Sequence, residues 1–262
     1  MKVWTFYSFK GGVGRSLAVA HVALALANQG KHVVCMDFDL EAPGLDRYLP
    51  PTEKRPGTLD IFDAWQSAEQ DPNLDDFAAP VKLAALRRGS IRLVGSGHHA
   101  PDYSSRLSGL QWEHMPDMGQ FLTWLRQRLT GWDGVDHVLL DSRTGMTDLA
   151  SLCTFHLPDC LIIIFALNHQ GLEGSRLVAE AVQRRRSVEE GPRRVLFLPA
   201  RVDTTDGEKQ QEWLDRARNQ LAGLGEFPNG LLIPYDRTYA YGELLVAPED
   251  AADWPIVQSY RR

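Results

Sequence analysis

The sequence predicts an α/β fold, a doubly wound and mostly parallel sheet flanked by helices. Two observations carry this expectation. Strand-length apolar runs alternate with longer helical stretches, and the first run leads through a glycine-rich turn into a small-residue helix. The apolar runs are residues 3–9, 32–38, 91–95, 137–141, 160–166, 194–200 and 230–234. Their near-continuous apolar character suits strands covered on both faces. The helical stretches include 16–29, 118–130, 172–186 and 207–222. Ligands of such sheets sit at the carboxyl ends of the strands, so the residues there are the candidates for chemistry.

The first run ends in Phe9-Lys10-Gly11-Gly12-Val13-Gly14-Arg15-Ser16 and passes into Leu17 and an alanine-rich helix. Glycines allow backbone angles that other residues avoid, and they let a ligand approach the chain closely. The turned N–H groups and the helix N-terminus then face phosphates. Ser16 stands where a hydroxyl meets magnesium. The spacing G-x-x-x-x-G-K-[ST] is not met as written, because Arg15 occupies the usual lysine position. An ordinary tight βα turn would leave Lys10 unexplained.

The second run closes on Asp37-Phe38-Asp39. Beside a phosphate loop, one of these carboxylates can serve the metal shell and the other a water. The plainer reading is a strand-end turn with helix-capping acids. The fourth run ends in Asp141 and is followed by Ser142-Arg143-Thr144-Gly145. An apolar strand ending in Asp is the arrangement that places a carboxylate at a metal through its water shell. Arg143 is either a second cation for phosphate or a solvated loop residue. Arg201 and Tyr235 either stack on a base or serve the core and surface.

Lys10-Gly11-Gly12-Val13-Gly14-Arg15-Ser16 resembles the deviant Walker A motif K-G-G-x-G-K-[ST] of the ParA/MinD ATPases. The match is closest to a bacterial ParA-like subgroup written K-G-G-V-G-R. The resemblance covers nearly the whole chain, and the first half carries its specific motifs. It implies a P-loop NTPase fold that binds ATP and Mg2+ at Lys10, Gly11, Gly12, Val13, Gly14, Arg15, Ser16 and Leu17. Lys10 would reach across an ATP-dependent homodimer to the partner's nucleotide. Asp39 would orient the attacking water, and Asp37 would lie near the metal with Ser16 and Asp141. Residues 41–45 would be switch I, and the N–H of Gly145 in switch II would meet the γ-phosphate. Pro234 and Tyr235 match a segment that borders the base. Arg143 replaces a proline of the pattern, and Ala200 stands where the family tends to carry an adenine-reading Asn.

The totals agree. The chain has 262 residues, 44% hydrophobic and 24% charged, which suits one large α/β domain. The polar, proline-containing stretch 50–89 reads as an insertion that turns helical, not as a separate domain. A net charge of -6 argues against wrapping nucleic acid with the whole surface. Arg184-Arg185-Arg186 and Arg193-Arg194 read as a charged helix end, with weak, salt-sensitive DNA binding as the alternative. Three cysteines without a C-x-x-C pair fit a reducing cytoplasm. Cys153 and Cys160 do not fall at the cluster positions of the related nitrogenase iron protein. His98-His99 reads as loop, a poor chelating pair without a distant third ligand. The chain starts directly on a strand, which predicts no signal peptide. No apolar run approaches the roughly 18 residues of a spanning helix. The end, residues 253–262, lacks the basic amphipathic membrane helix of MinD and stops abruptly. It therefore predicts no membrane binding, and it suits the amino-terminal domain of a longer protein. The functional expectation is a slow ATPase acting as a nucleotide-dependent dimer switch on an unidentified protein partner. The alternative is a poorly hydrolysing sensor or scaffold module of a larger regulatory or defence assembly. A small-molecule ligase or kinase lacks any recognisable substrate motif.

Overall fold

A computed structural model describes residues 2–67, 71–97, 102–109, 118–145, 152–186 and 194–237. Seven strands form one sheet: β1 (Lys2–Tyr7), β2 (His32–Asp37), β3 (Ala79–Pro80), β4 (Ser90–Val94), β5 (His137–Asp141), β6 (Cys160–Ala166) and β7 (Arg194–Ala200). Their order is β3-β4-β2-β5-β1-β6-β7, parallel throughout except for the antiparallel β3 at one edge. The doubly wound, mostly parallel sheet expected from the alternation of runs is therefore present.

Helices cover both faces, as parallel sheets require. They are α1 (Arg15–Asn28), the single turn α2 (Leu45–Tyr48), α3 (Thr58–Ser67), α4 (Tyr103–Gly109), α5 (Met118–Thr130), α6 (His169–Arg186) and α7 (Gly207–Leu221). The alanine stripe of α1, from Ala18 to Ala27, is buried against β2 and β4, and small side chains let this helix lie close to the sheet. On the other side, Phe62 of α3 and Phe121 and Leu125 of α5 pack on Val34, Met36, Val138 and Leu140. Leu172 and Val182 of α6 and Ala217 of α7 cover β6 and β7.

The central strands set the site. In the parallel register Asp141 lies opposite Phe6 on one side and Asp37 on the other. The carboxyl ends of β1, β2 and β5 therefore meet in one place. The connection from β1 runs to β2, two places away across β5, while β6 flanks β1 on the opposite side. This is the switch point at which doubly wound sheets bind ligands.

One expectation is corrected. Residues 230–234 form no strand. They make one isolated parallel bridge, Val202 to Pro234, in which the Val202 N–H donates to Ile233 O at 3.1 Å and the Tyr235 N–H to Val202 O at 2.9 Å. The stretch 50–89 joins the core. It supplies β3 to the sheet edge and buries Leu59, Ile61, Phe62, Leu74 and Phe77 against β2 and α5.

Candidate nucleotide site

The glycine-rich turn between β1 and α1 is built by backbone conformation. Gly12 and Gly14 have φ of 74° and 86°, left-handed values that strain other residues. A Cβ at Gly11, Gly12 or Gly14 would meet nothing within 4 Å, so the loop faces open space. Gly14 is the N-cap of α1 and provides no side-chain cap. The first N–H groups of α1 are thus left for another acceptor, the usual arrangement of an anion cradle. A cavity of about 620 Å3 opens there, bounded by Gly12, Ser16, Asp39, Glu41, Pro43 and Arg143.

Arg15 is engaged by two carboxylates. Its guanidinium turns inward and is only 7% exposed. Nε donates to Asp141 Oδ1, and Nη2 donates to Asp39 Oδ2 at 2.8 Å. Burial disfavours its charge, but the two carboxylates outweigh that and hold the guanidinium above its ordinary range. Among the described residues, Nη1 of Arg15 and Oδ2 of Asp141 are buried without hydrogen-bond partners. Burial pushes the Asp141 carboxyl up; Arg15 and the nearby Ser16 hydroxyl oppose that shift.

Asp37 is committed to the backbone. Its Oδ1 accepts from the N–H of Asp39 at 2.9 Å, and its Oδ2 from those of Gly44 and Leu45 at 3.3 and 3.2 Å. It thereby caps α2 and shapes the 41–45 loop, the plainer of the two readings of this acid. Burial, and then the neighbouring Asp141, push its carboxyl up to about 8.

Other groups tie loops together. Arg143 Nη2 pairs with Glu41 Oε2 at 2.5 Å, joining the loop after β5 to the loop after β2. Gly145 has φ of 78°; its carbonyl accepts from the Tyr7 hydroxyl at 3.1 Å, and its N–H reaches Ser8 O at 3.4 Å. Arg201, itself left-handed at φ 52°, donates from Nη1 to Gly12 O at 2.7 Å. Its guanidinium lies over the Tyr235 ring, 5.2 Å from the centroid. Lys10 is exposed and makes no hydrogen bond or ion pair among the described residues. A second cavity, of about 340 Å3, borders it between the glycine turn, Asn168, Gly171 and Arg201.

The structure thus gathers the predicted residues from 10 to 17 with Asp37, Asp39, Asp141 and Gly145 at one end of the sheet. Arg201, Pro234 and Tyr235 flank the glycine turn, with Pro234 bridged to Val202. Tyr7 and Asn168 were not singled out by sequence. Tyr7 reads only as a strand residue, and Asn168 caps α6 by accepting the Gly171 N–H at 2.8 Å. Arg185 packs over Phe155, and Arg194 pairs with Glu226, so these two basic residues have local partners. His98, His99, Arg193 and residues 253–262 lie outside the described residues. All three cysteines are free and buried.

The donor set suits a divalent ion only in part. Asp141 has an oxygen to spare, and Ser16 stands beside it. Among the described residues, no three His, Cys, Asp or Glu side chains are placed to hold a metal by themselves. A magnesium ion here would lean on phosphate oxygens and water, as it does in nucleotide sites. Among the same residues no helix is long and apolar enough to cross a membrane.

Comparison with known proteins identifies the family and the fold. The model of the CobQ/CobB/MinD/ParA nucleotide binding domain matches residues 4–240. The iron-sulfur cluster carrier protein of Haemophilus influenzae is 27% identical over 156 residues, 58% of this chain and 34% of that protein. The chain thus matches about a third of that relative's length. Among solved structures, a ParA family ATPase from Chlorobium tepidum TLS superposes with a TM-score of 0.70 at 18% identity, covering 99% of this chain and 96% of that one. The septum site-determining protein MinD from Pyrococcus horikoshii, complexed with Mg-ADP, also gives 0.70 at 17% identity, covering 99% and 93%.

Proposed function

The chain belongs to the CobQ/CobB/MinD/ParA nucleotide-binding family, and from that premise we propose that it binds ATP with magnesium, hydrolyses it slowly and works as a dimer switch. The observation that carries this reading is the meeting of the left-handed Gly12–Gly14 turn with Asp39 and Asp141 at one cavity. Backbone N–H groups of residues 11–17 hold the phosphates. Ser16 and Asp141 hold the ion, which neutralises charge on the phosphates when bound. Asp37 serves this shell indirectly, by shaping the loop that carries Asp39. Asp39 orients the attacking water, since phosphoryl transfer depends mostly on positioning and electrostatics. Gly145 turns its loop toward the γ-phosphate. Arg201, Pro234 and Tyr235 border the base.

Lys10 is the cross-subunit residue: it is exposed on the flank of the loop and makes no pair among the described residues. A change of nucleotide would move the loops joined by the Glu41–Arg143 pair, and with them the surface offered to a protein partner. The 262 residues act as one nucleotide-binding unit, and the three reduced thiols suit the cytoplasm. Phosphate release from ATP by the 262-residue chain, compared with its Asp39→Ala variant, tests the proposal. Turnover that requires Asp39 supports it.

A second reading rests on one observation. Asp39, the water-orienting candidate, is paired with Arg15 at 2.8 Å. A chain that keeps this pair while nucleotide is bound would hold ATP without cleaving it, as a sensing or scaffolding module. Tight ATP binding with equal, negligible turnover in the chain and in its Asp39→Ala variant would select that reading.

A further inference from the structure

The position before Ser16 carries a guanidinium that is paired with two carboxylates. Each carboxylate gives one oxygen to the same cation: Asp141 through Oδ1 and Asp39 through Oδ2. These two carboxylates also border the place where a divalent ion would sit beside Ser16. At 7% exposure the guanidinium has little water to screen it. A second cation on Asp141 would therefore meet an almost unscreened like charge.

We propose that Arg15 is a resident counter-cation that holds Asp39 and Asp141 against divalent metal, so that metal enters the site only together with a polyphosphate. This rests on the nucleotide-site reading above and adds an order of assembly to it. A polyphosphate offers what the carboxylates now supply. Its anionic oxygens accept the planar fork of Arg15, including Nη1, which has no partner among the described residues. Once Arg15 turns to phosphate, Asp141 regains Oδ1 and keeps its unpartnered Oδ2 for the metal side. Metal and polyphosphate then each raise the other's affinity by the same factor, as linkage requires. Lysine at this position, with one compact ammonium on a flexible stem, cannot span two carboxylates in the same planar way.

The test uses Mn2+ alone, followed by the electron paramagnetic resonance of the free ion, on the 262-residue chain without nucleotide. The chain itself should bind Mn2+ weakly. Arg15→Gln should bind it at least tenfold more tightly, and Arg15→Lys should fall between the two. Thermal melting by circular dichroism shows that each variant is folded; if Arg15→Gln is not, the tightening in Arg15→Lys decides. Equal Mn2+ affinity in the chain and in every folded variant would overturn the proposal. A parallel titration of the unaltered chain with a fluorescent ATP analogue separates the two claims. Failure to bind the analogue overturns the ATP reading, while the Mn2+ contrast still judges Arg15.

Discussion

Arg201 donates to the carbonyl of Gly12 at 2.7 Å, across a sequence separation of 189 residues. It does so from a left-handed backbone, φ 52°, that non-glycine residues rarely adopt. The end of β7 thus reaches back to hold the glycine turn after β1. The strain of such a conformation is about 1 kcal/mol or more, and it persists here where a ligand loop is braced.

Arg201→Gly should therefore separate stability from binding. The backbone strain is relieved, so melting should be unchanged or rise by the equivalent of up to about 1 kcal/mol. The brace on Gly12 is lost, so ATP affinity should fall about three- to tenfold, the equivalent of one modest hydrogen bond. Thermal melting and a binding titration on the same sample read the two effects.

Asp39→Ala should leave ATP affinity within about threefold while lowering turnover by at least a hundredfold, because a mispositioned water forfeits orientation worth several kcal/mol. It also frees Nη2 of Arg15 from its 2.8 Å partner. Phosphate release and a nucleotide titration measure the two quantities, and unchanged turnover would remove Asp39 from its role.

Lys10→Ala should bind ATP as the unaltered chain does and remain monomeric. Lys10 is exposed and pairs with no other described residue, so its loss removes no contact seen within its own subunit. Light scattering with saturating magnesium-ATP reads the outcome, and dimers formed equally well by the variant would refute a cross-subunit lysine.

His21 should give the chain a pH-dependent stability. Its Nδ1 lies 3.0 Å from the Leu17 carbonyl inside α1, and burial pushes its imidazole down to about 4. Between about pH 6.5 and pH 4 the unfolded chain takes up a proton that the folded chain refuses, so stability is lost as pH falls through that window. His21→Leu should escape the loss. Its stability relative to the unaltered chain should gain about 2 kcal/mol between pH 7 and pH 5, at 1.36 kcal/mol per pH unit. Asp37 runs the other way, losing its contribution as pH rises toward 8, but it is common to both proteins and cancels in the difference. Urea denaturation at the two pH values checks this.

Gly174→Ala should damage the loop from outside. A Cβ at this position would lie 2.2 Å from Cγ of Phe9, the residue before Lys10. Overpacking of this kind costs about 1–3 kcal/mol, and relief by moving Phe9 would disturb Lys10 and Gly11. Lower stability together with weaker ATP binding is the expected pair of results; unchanged melting would show that Phe9 gives way freely.

Much was legible in the chain itself, because the signals were local. A parallel strand covered on both faces must be apolar along its length, and the runs 137–141, 160–166 and 194–200 have the bounds of β5, β6 and β7. A left-handed turn before a helix demands glycine, and Gly12 and Gly14 mark it. Residues 230–234 misled because an apolar run reads as strand, whereas here it makes a single bridge to Val202. The motif order also revealed the family, which the match over residues 4–240 bears out.

The tertiary structure decided what each charge does. Local sequence cannot say where a long side chain turns, because its partners come from distant strands. Arg15 follows the loop in sequence, yet it finds Asp141, 126 residues on, because β1, β2 and β5 lie side by side and place their carboxyl ends together. Asp37 and Asp39 are two residues apart and look alike in sequence. One is consumed by the N–H groups of the next loop and the other by a guanidinium. Spacing determined that acids and a cation stand at the end of the sheet. Burial together, where water cannot screen them, decided which of them pair.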